Sequence, residues 1–341
     1  MSLKRNIKAM ITQAADRRGL VLIPKALAYP WQIAPVTEPT HGDSPLGAAA
    51  LDYLRPDNPR LVELERRYAA ADPRVTTPLI WQHGYVTAED LKYFRGDNAY
   101  RWALRGRNYS YVSYVVSNYY LETIDTLGLF DTLEEDDAFG NLTYELDGRT
   151  MSNDLLDSIC ELNFLERHLQ ISQRRGLRIL DIGAGYGRLA HRAVRALPDL
   201  GAYLCTDGVA VSSFLCEFYL RARDVADKAC IVPLDEVETS AALDGIDLAI
   251  NIHSFSECRR EAISWWVAEL ARRRVPHLLI APNAVLGGGG RELLTNDGAD
   301  FSDILALHGY RLLVREPKYR RAEVQELGFC PTHYHLFALA T

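Results

Sequence analysis

The most chemically suggestive stretch of the chain is NIHSFSE, residues 251–257, which directly follows the apolar run GIDLAI. Histidine titrates near physiological pH, so a neutral His253 is a candidate general base for a proton transfer. Glu257 lies four residues further on and would orient or charge-stabilise the imidazole if a helix begins here. Alternatively, Ser254 or Ser256 caps the next helix and Glu257 belongs to that cap. A structural, substrate-orienting or metal-binding role for the histidine also remains open.

A second stretch whose residues could bind a ligand is DIGAGYG, residues 181–187, which lies between an apolar run and a helical pattern. Gly183, Gly185 and Gly187 permit a tight turn and let a ligand approach the backbone closely, and the following helix offers unpaired N–H groups. A dinucleotide site would show G-x-G-x-x-G, whereas this chain shows G-x-G-x-G with Asp181 two residues before the first glycine. The plain alternative is an ordinary glycine-rich turn between a strand and a helix.

Further acids follow the next two apolar runs. Asp207 ends the run AYLCTD, twenty residues beyond Gly187, where a carboxylate suits the two hydroxyl groups of a ribose. NAD-binding proteins share this feature, so Asp207 alone does not distinguish NAD from other cofactors that contain a ribose. Asp235 follows the run CIVPL and is a candidate contact for an adenine amino group, although an acid in such a loop often has no role.

Strands and helices in alternation must position these residues. From about residue 177, short apolar runs alternate with segments whose apolar residues recur at helical spacing. The runs are apolar nearly throughout, which is typical of a sheet covered on both faces. We predict an α/β fold with a doubly wound, mostly parallel sheet, and strands at 177–183, 202–207, 230–234, 246–251, 277–283, 310–317 and 334–340. The segment between the last two runs is too polar for a good crossover helix, so we expect these two strands to pair antiparallel.

The first 150 residues show less order. Seven prolines between positions 24 and 59 break the chain into short pieces, and mainly helical patterns follow, with a turn-rich segment at 136–152 that predicts a hairpin. The segment 153–169 predicts an amphipathic helix that docks on the sheet. We therefore predict a mainly helical N-terminal domain at 1–150 and a sheet domain at 151–341.

Composition narrows the class of protein. The chain has 341 residues, 48% of them hydrophobic, and a net charge of −7 without any long basic block, so nucleic-acid binding is disfavoured. Six cysteines without a CxxC pair predict buried free thiols in a reducing compartment. There is no apolar run of the ~20 residues that a membrane span needs and no convincing signal peptide. We expect a cytoplasmic protein without a membrane partner, for which a homodimer is one compatible assembly.

The spacing of DIGAGYG resembles motif I of class I S-adenosylmethionine-dependent methyltransferases. Within that class, the chain resembles the sugar O-methyltransferases, which modify glycosylated natural products and surface polysaccharides. The stretches that carry the resemblance span most of residues 150–320; they include DIGAGYGRLAHR and NIHSFSEC, which together are specific. The first 150 residues match less distinctly, and we expect them to form a lid that selects the acceptor.

The resemblance implies a Rossmann-like, seven-stranded sheet and S-adenosylmethionine as cofactor. It implies that Asp181 helps to hold the methionine ammonium and that the first and fourth strands are neighbours, so that NIHSFSE lies beside the glycine-rich loop. The residues expected to contact the cofactor are Asp181, Gly183, Ala184, Gly185, Tyr186, Gly187, Asp207, Gly208, Asp235 and Asn251. The expected acceptor is a glycoside or sugar hydroxyl, with His253 as base and Glu257 as its partner.

Three alternatives to this interpretation remain. The acceptor is a non-sugar hydroxyl, the protein is an NAD-dependent oxidoreductase on a similar sheet, or it binds the cofactor without turnover. Magnesium is compatible with the chemistry but is not predicted, since hard ions need several carboxylates. The only suggestive group of acids is Asp297, Asp300 and Asp303, and Asp303 fits better at the start of a helix.

Overall fold

The computed structural model describes residues 11, 14–15, 17–18, 42–81, 85–96, 100, 111–283 and 289–340. Most of the proline-broken segment before residue 42 therefore lies outside the described residues. The first half is mainly helical, with α1 (Ala48–Tyr53), α2 (Pro59–Ala69), α3 (Pro73–Thr76), α4 (Ala88–Lys92), α5 (Tyr111–Ile124) and α6 (Leu129–Thr132). The predicted hairpin is confirmed, since β1 (Thr143–Leu146) pairs antiparallel with β2 (Arg149–Ser152).

The second half forms the predicted seven-stranded sheet. Its strands are β3 (Arg178–Ile182), β4 (Ala202–Thr206), β5 (Ala229–Ile231), β6 (Leu248–Ile252), β7 (His277–Ala281), β8 (Tyr310–Pro317) and β9 (His333–Leu339). Their order is β5-β4-β3-β6-β7-β9-β8, and the five strands from β5 to β7 are parallel. Strand β9 is antiparallel to both β7 and β8, as predicted from the polar segment between the last two runs. This is the class I methyltransferase fold.

Helices cover both faces of this sheet. They are α7 (Asn153–Leu169), α8 (Arg188–Ala196), α9 (Ala210–Ala222), α10 (Arg260–Arg272), α11 (Ser302–Leu307) and α12 (Ala322–Leu327). Alternate residues of each strand enter different cores: Leu180 of β3 and Leu204 of β4 pack on one face, and Ile179 and Tyr203 on the other. This double covering explains why the strands are apolar on both sides.

The N-terminal helices share a core with the sheet domain. Leu61, Leu64 and Tyr68 of α2 are buried in the same cluster as Phe214 of α9, and Tyr53 stacks on Phe214 with ring centroids 5.1 Å apart. The two halves are therefore joined by apolar side chains, and a division at residue 150 stays a prediction. Within the described residues, no helix combines the length and the apolar character that a bilayer crossing requires.

Candidate functional site

A cavity of about 810 Å³ opens at the carboxyl ends of the parallel strands. The loops that follow β3, β4 and β6 form one side of it, with residues 181–186, 207–209 and 252–254. The N-terminal segment, α7 and residues 326–332 contribute to the rest of its wall, together with Glu257 and Asn283. In open α/β sheets this edge is where ligands bind, so the cavity is the candidate site.

The glycine-rich loop turns tightly between β3 and α8. Its glycines have positive φ angles of 75° at Gly183, 56° at Gly185 and 87° at Gly187. A Cβ atom at Gly183 would lie 2.1 Å from Ser254 Oγ, and a Cβ atom at Gly187 would lie 2.9 Å from Cys216 Sγ. Both positions therefore require glycine for backbone conformation and for close packing. The contact with Ser254 also confirms that the stretch after β6 lies directly against this loop.

Asp207 anchors the glycine-rich loop at the end of β4. Its Oδ2 accepts a hydrogen bond from the Gly185 N–H at 3.1 Å, and its Oδ1 accepts one from the Val209 N–H at 2.9 Å. Burial raises the pKa of this carboxyl to about 7, against the effect of these N–H donors. A carboxylate has about four lone-pair positions, so Asp207 retains capacity for a ligand hydroxyl.

Asp181 lies at the end of β3 and lines the same cavity. It is 4% exposed and accepts a hydrogen bond from the Tyr203 hydroxyl at 2.9 Å. Burial raises its pKa to about 7, while the Tyr203 bond and the nearby Arg188 guanidinium act in the opposite direction. A cationic ligand group beside Asp181 would favour its ionised form.

Seven of the ten predicted cofactor residues line the cavity, namely Asp181, Gly183, Ala184, Gly185, Tyr186, Asp207 and Gly208. The Tyr186 hydroxyl, however, donates to Asp154, and its ring packs on Phe94 and Tyr219 with centroids 5.2 and 5.3 Å away. This residue therefore contributes its backbone and ring to the wall, with its hydroxyl engaged behind it.

The other three predicted cofactor residues do not line the cavity. Gly187 is the last glycine of the loop and the N-cap of α8. Asn251 is fully buried beneath the loop, where it donates to the Ile182 carbonyl at 2.8 Å and accepts from the Phe255 N–H at 2.8 Å. The Asp235 carboxylate is bound by the Arg67 guanidinium at 2.9 and 2.8 Å. Asn251 thus fixes β3 to the turn after β6, and Asp235 binds the N-terminal helix α2.

His253 follows β6 and lines the cavity. Its φ angle of 67° is uncommon for a residue other than glycine, and its N–H donates to the Ala281 carbonyl at 2.7 Å, which fixes the backbone. Residues held in such conformations cluster at functional sites, because the surrounding structure must maintain them. The turn that begins here is a 3₁₀ turn over Ser254–Glu257.

The imidazole of His253 is neutral at physiological pH. Burial lowers its pKa to about 4; the Asp157 carboxylate acts in the opposite direction, whereas Lys318 and Arg188 reinforce the lowering. Its Nδ1 is buried and makes no hydrogen bond of good geometry with any described residue, although the Pro282 carbonyl lies close enough to favour a proton on the ring. The ring is therefore unprotonated at neutral pH, which is the state in which a general base must begin.

The predicted pairing of Glu257 with His253 is wrong. The Glu257 Oε2 accepts a hydrogen bond from Trp81 Nε1 at 2.5 Å, and its Oε1 accepts one from Asn283 Nδ2 at 3.3 Å. A 3₁₀ turn has three residues per turn, so residues four apart do not share a face as they would in an α-helix. Glu257 still lines the cavity, and burial raises its pKa to about 7. The capping alternative is also wrong, because α10 begins after Arg259 without a side-chain cap.

Charged residues that the sequence interpretation missed act electrostatically on His253 instead. Asp157 of α7 lines the cavity and forms a buried ion pair with Lys318 Nζ at 2.6 Å. Arg188, directly after the glycine-rich loop, also lines the cavity. The sequence does contain a signal for Asp157: polar residues recur every four positions in α7, at Asn153, Asp157 and Glu161. The structure shows that this helix is almost wholly buried.

The three acids considered for a metal ion are engaged elsewhere. Asp303 binds Arg260 at 2.9 and 2.7 Å in the first turn of α11, as expected for a helix start. Asp297 accepts from the Thr295 hydroxyl, and Asp300 accepts from the Ser302 N–H at 2.8 Å. None of the three lines the cavity, and the described part of the chain contains no group of three or more His, Cys, Asp or Glu residues arranged to hold a metal ion.

Comparisons with known proteins find likeness only in structure. No family model and no curated protein matches the sequence significantly. Among solved structures, the [4+2]-cyclase SpnF matches with 16% identity and a TM-score of 0.41, covering 67% of this chain and 96% of its own. The mitomycin 7-O-methyltransferase MmcR has 20% identity and a TM-score of 0.37, covering 54% of this chain and 57% of its own. Magnesium protoporphyrin IX methyltransferase ChlM from Synechocystis PCC 6803, solved with bound S-adenosylmethionine, has 12% identity and a TM-score of 0.39, covering 66% of this chain and 97% of its own.

Proposed function

We propose that the protein is an S-adenosylmethionine-dependent O-methyltransferase whose acceptor is a sugar hydroxyl of a glycosylated natural product or polysaccharide precursor. The observation that carries the proposal is that one cavity, at the edge of a class I methyltransferase sheet, is lined by a glycine-rich loop, by buried carboxyl groups and by a neutral histidine. The resemblance to sugar O-methyltransferases supports the choice of acceptor.

The charge of the cavity favours a cationic cofactor over a dinucleotide. Asp181, Asp207 and Glu257 all line it, and burial raises the pKa of each to about 7. A diphosphate would add negative charge beside these three groups, whereas a sulfonium and an ammonium would favour their ionised forms. We assign Asp181 to the methionine ammonium and Asp207 to the ribose hydroxyls, and the loop glycines allow close approach to the backbone.

The chemistry of the proposed reaction needs a base, because a sugar hydroxyl keeps its proton at neutral pH. S-adenosylmethionine supplies an activated methyl group on a good leaving group. His253 accepts the hydroxyl proton as the new C–O bond forms, and the Asp157 carboxylate stabilises the resulting imidazolium by its charge. Glu257 is the second candidate for the base, since its pKa of about 7 is better matched to neutral pH.

The experiment that tests the proposed cofactor is calorimetric titration of the purified protein with S-adenosylhomocysteine, with NAD as the control. We expect micromolar binding of S-adenosylhomocysteine alone, and a loss of affinity in Asp207→Ala and Gly185→Val. Preference for NAD, or an affinity that neither substitution changes, would contradict the proposal. Incubation of glycosides and simple phenols with labelled S-adenosylmethionine, with and without magnesium, then identifies the acceptor class and any metal requirement.

A further inference from the structure

Two polar side chains of the cavity wall take no part in the proposed reaction as described above. They are Asn153, the first residue of α7, and Ser113 of α5; each is 8% exposed and lines the cavity. Neither the amide of Asn153 nor the hydroxyl of Ser113 has a hydrogen-bond partner among the described residues. Burying such groups without a partner is unfavourable, so both side chains are suited to bind a polar ligand in the cavity.

These two side chains belong to the part of the cavity that contains the candidate base. Asn153 lies four residues before Asp157, and residues four apart share one face of an α-helix. Asp157 lies close enough to His253 for its charge to act on the imidazole. Ser113 lies on α5, which packs against α7. A ligand bound by both side chains would therefore be held next to His253.

Hydrogen bonds hold this part of the wall in place. Lys318 Nζ donates to Asp157 Oδ1 at 2.6 Å and to the Phe329 carbonyl at 3.1 Å. It thereby joins α7 to the segment 326–332. Ser117 of α5 accepts a hydrogen bond from the Phe329 N–H at 2.8 Å, so α5 is joined to the same segment. The two helices that carry the polar side chains are therefore fixed relative to each other, as a selective binding site requires.

The hydrogen-bonding capacity of these groups indicates which ligand they suit. An amide and a hydroxyl can each donate and accept, whereas the Asp157 carboxylate only accepts. An ionised phosphate on the ligand would bring only acceptors and a negative charge beside that carboxylate. A phenol has a single hydroxyl, which the methyl transfer itself uses. A ring with several hydroxyl groups can satisfy both side chains and still present one further hydroxyl to His253.

We infer that Asn153 and Ser113 bind acceptor hydroxyl groups that are not methylated, and thereby place another hydroxyl at His253; this inference rests on the proposed function. An acceptor without these hydroxyls would exclude water from the two side chains and give no partner in return, which makes it a poorer substrate. Asn153 therefore selects polyhydroxylated acceptors over phenols.

The test measures kcat/KM for methyl transfer from labelled S-adenosylmethionine to a fixed set of acceptors, the methyl glycosides of glucose, galactose, mannose and rhamnose, and phenol. The variants are Asn153→Leu and Ser113→Ala, which remove the polar groups with little change in size. Asn118→Leu is the matched control, because Asn118 is a buried asparagine of α5 that does not line the cavity. Calorimetry with S-adenosylhomocysteine reports separately on folding and cofactor binding.

We expect Asn153→Leu to lower kcat/KM for the best glycoside about 10–100-fold, and Ser113→Ala to lower it less, with the affinity for S-adenosylhomocysteine nearly unchanged. Monodeoxy analogues of that glycoside identify the hydroxyl that Asn153 binds. One analogue, still methylated at its other position, should be about 10–100-fold poorer than the parent for the wild type and equal to the parent for Asn153→Leu.

An unchanged kcat/KM in Asn153→Leu, an equal loss in Asn118→Leu, or a parallel loss of cofactor affinity would overturn the inference. Rejection of every glycoside by protein that binds S-adenosylhomocysteine would also overturn it, and would leave the cofactor part of the proposed function standing. If folded wild-type protein does not bind S-adenosylhomocysteine, the proposed function itself fails.

Discussion

Trp81 Nε1 donates a hydrogen bond to Glu257 Oε2 at 2.5 Å, although the two residues are 176 positions apart in the chain. The backbone follows the same path, because the Leu79 N–H donates to the Glu257 carbonyl at 2.9 Å. Glu257 therefore ties the N-terminal segment to the turn after β6 at the cavity wall.

Trp81→Phe tests this connection. It removes the donor and leaves a buried carboxyl with less stabilisation of its ionised form, so we expect the pKa of Glu257 to rise and stability to fall by about 1–3 kcal/mol. Chemical denaturation at pH 8 measures the loss. In a double-mutant cycle with Glu257→Gln, the two effects should be clearly non-additive. Additive effects would show that the hydrogen bond contributes nothing measurable.

Binding of S-adenosylhomocysteine should release protons near neutral pH. Burial raises the pKa of Asp181 to about 7, so roughly half of the molecules carry its proton at pH 7, and a bound ammonium lowers that pKa. Affinity should therefore rise with pH up to about 7 and level off above it. Calorimetry in buffers of different ionisation enthalpy counts the released protons. Asp181→Asn should remove most of the release; an undiminished release would assign it to another group, such as Asp207.

His253→Ala should reduce kcat by about 10²–10⁴-fold and leave the affinity for S-adenosylhomocysteine nearly unchanged. Because burial lowers the pKa of His253 to about 4, the imidazole is already neutral well below pH 6.5. With saturating cofactor, kcat of the wild type should therefore show no loss with a midpoint near 6.5 as the pH falls. His277→Ala, in a half-buried histidine at the opposite end of the sheet, is the control. A large residual rate in His253→Ala would favour Glu257 as the base.

Gly183→Ala should weaken cofactor binding severely. Its Cβ would lie 2.1 Å from Ser254 Oγ, on a backbone with a φ angle of 75°. Gly176 offers a matched control, since its φ angle is 70° but a Cβ there meets nothing within 4 Å. Gly176→Ala should therefore cost only the strain of the left-handed backbone, about 1–2 kcal/mol of stability, and leave binding intact. Similar binding losses in both variants would mean that close packing against Ser254 is unimportant.

The sheet could be predicted from the sequence because its signal is local. Each strand is a short apolar run, and the helix at 153–169 was predicted with the bounds that the structure shows. The antiparallel pairing of β8 and β9 followed from the polar segment between them. The glycine-rich loop was also local, since its three glycines and the acid before it lie within seven residues.

The partners of the polar site residues could not be predicted in the same way. Asp235 binds Arg67, which lies 168 positions earlier, and Lys318 binds Asp157, which lies 161 positions earlier. Local spacing contains no information about such pairs. Local spacing also gives a wrong partner for Glu257, because the predicted pairing with His253 assumes α-helical spacing where the chain forms a 3₁₀ turn. The sequence predicts an amphipathic α7, whereas residues 153–165 are all buried and the polar stripe of the helix faces protein and cavity.

The core that α2 shares with α9 limits which segments of this chain can be exchanged. Because Leu61 and Leu64 are buried beside Phe214, exchange of the N-terminal segment with that of another protein of the same fold would remove core side chains along with the cavity wall. A chimera made at residue 150 would therefore lose stability before any change of specificity could be measured. Substitutions of single cavity residues, which leave this shared core in place, are therefore the way to alter what the cavity binds.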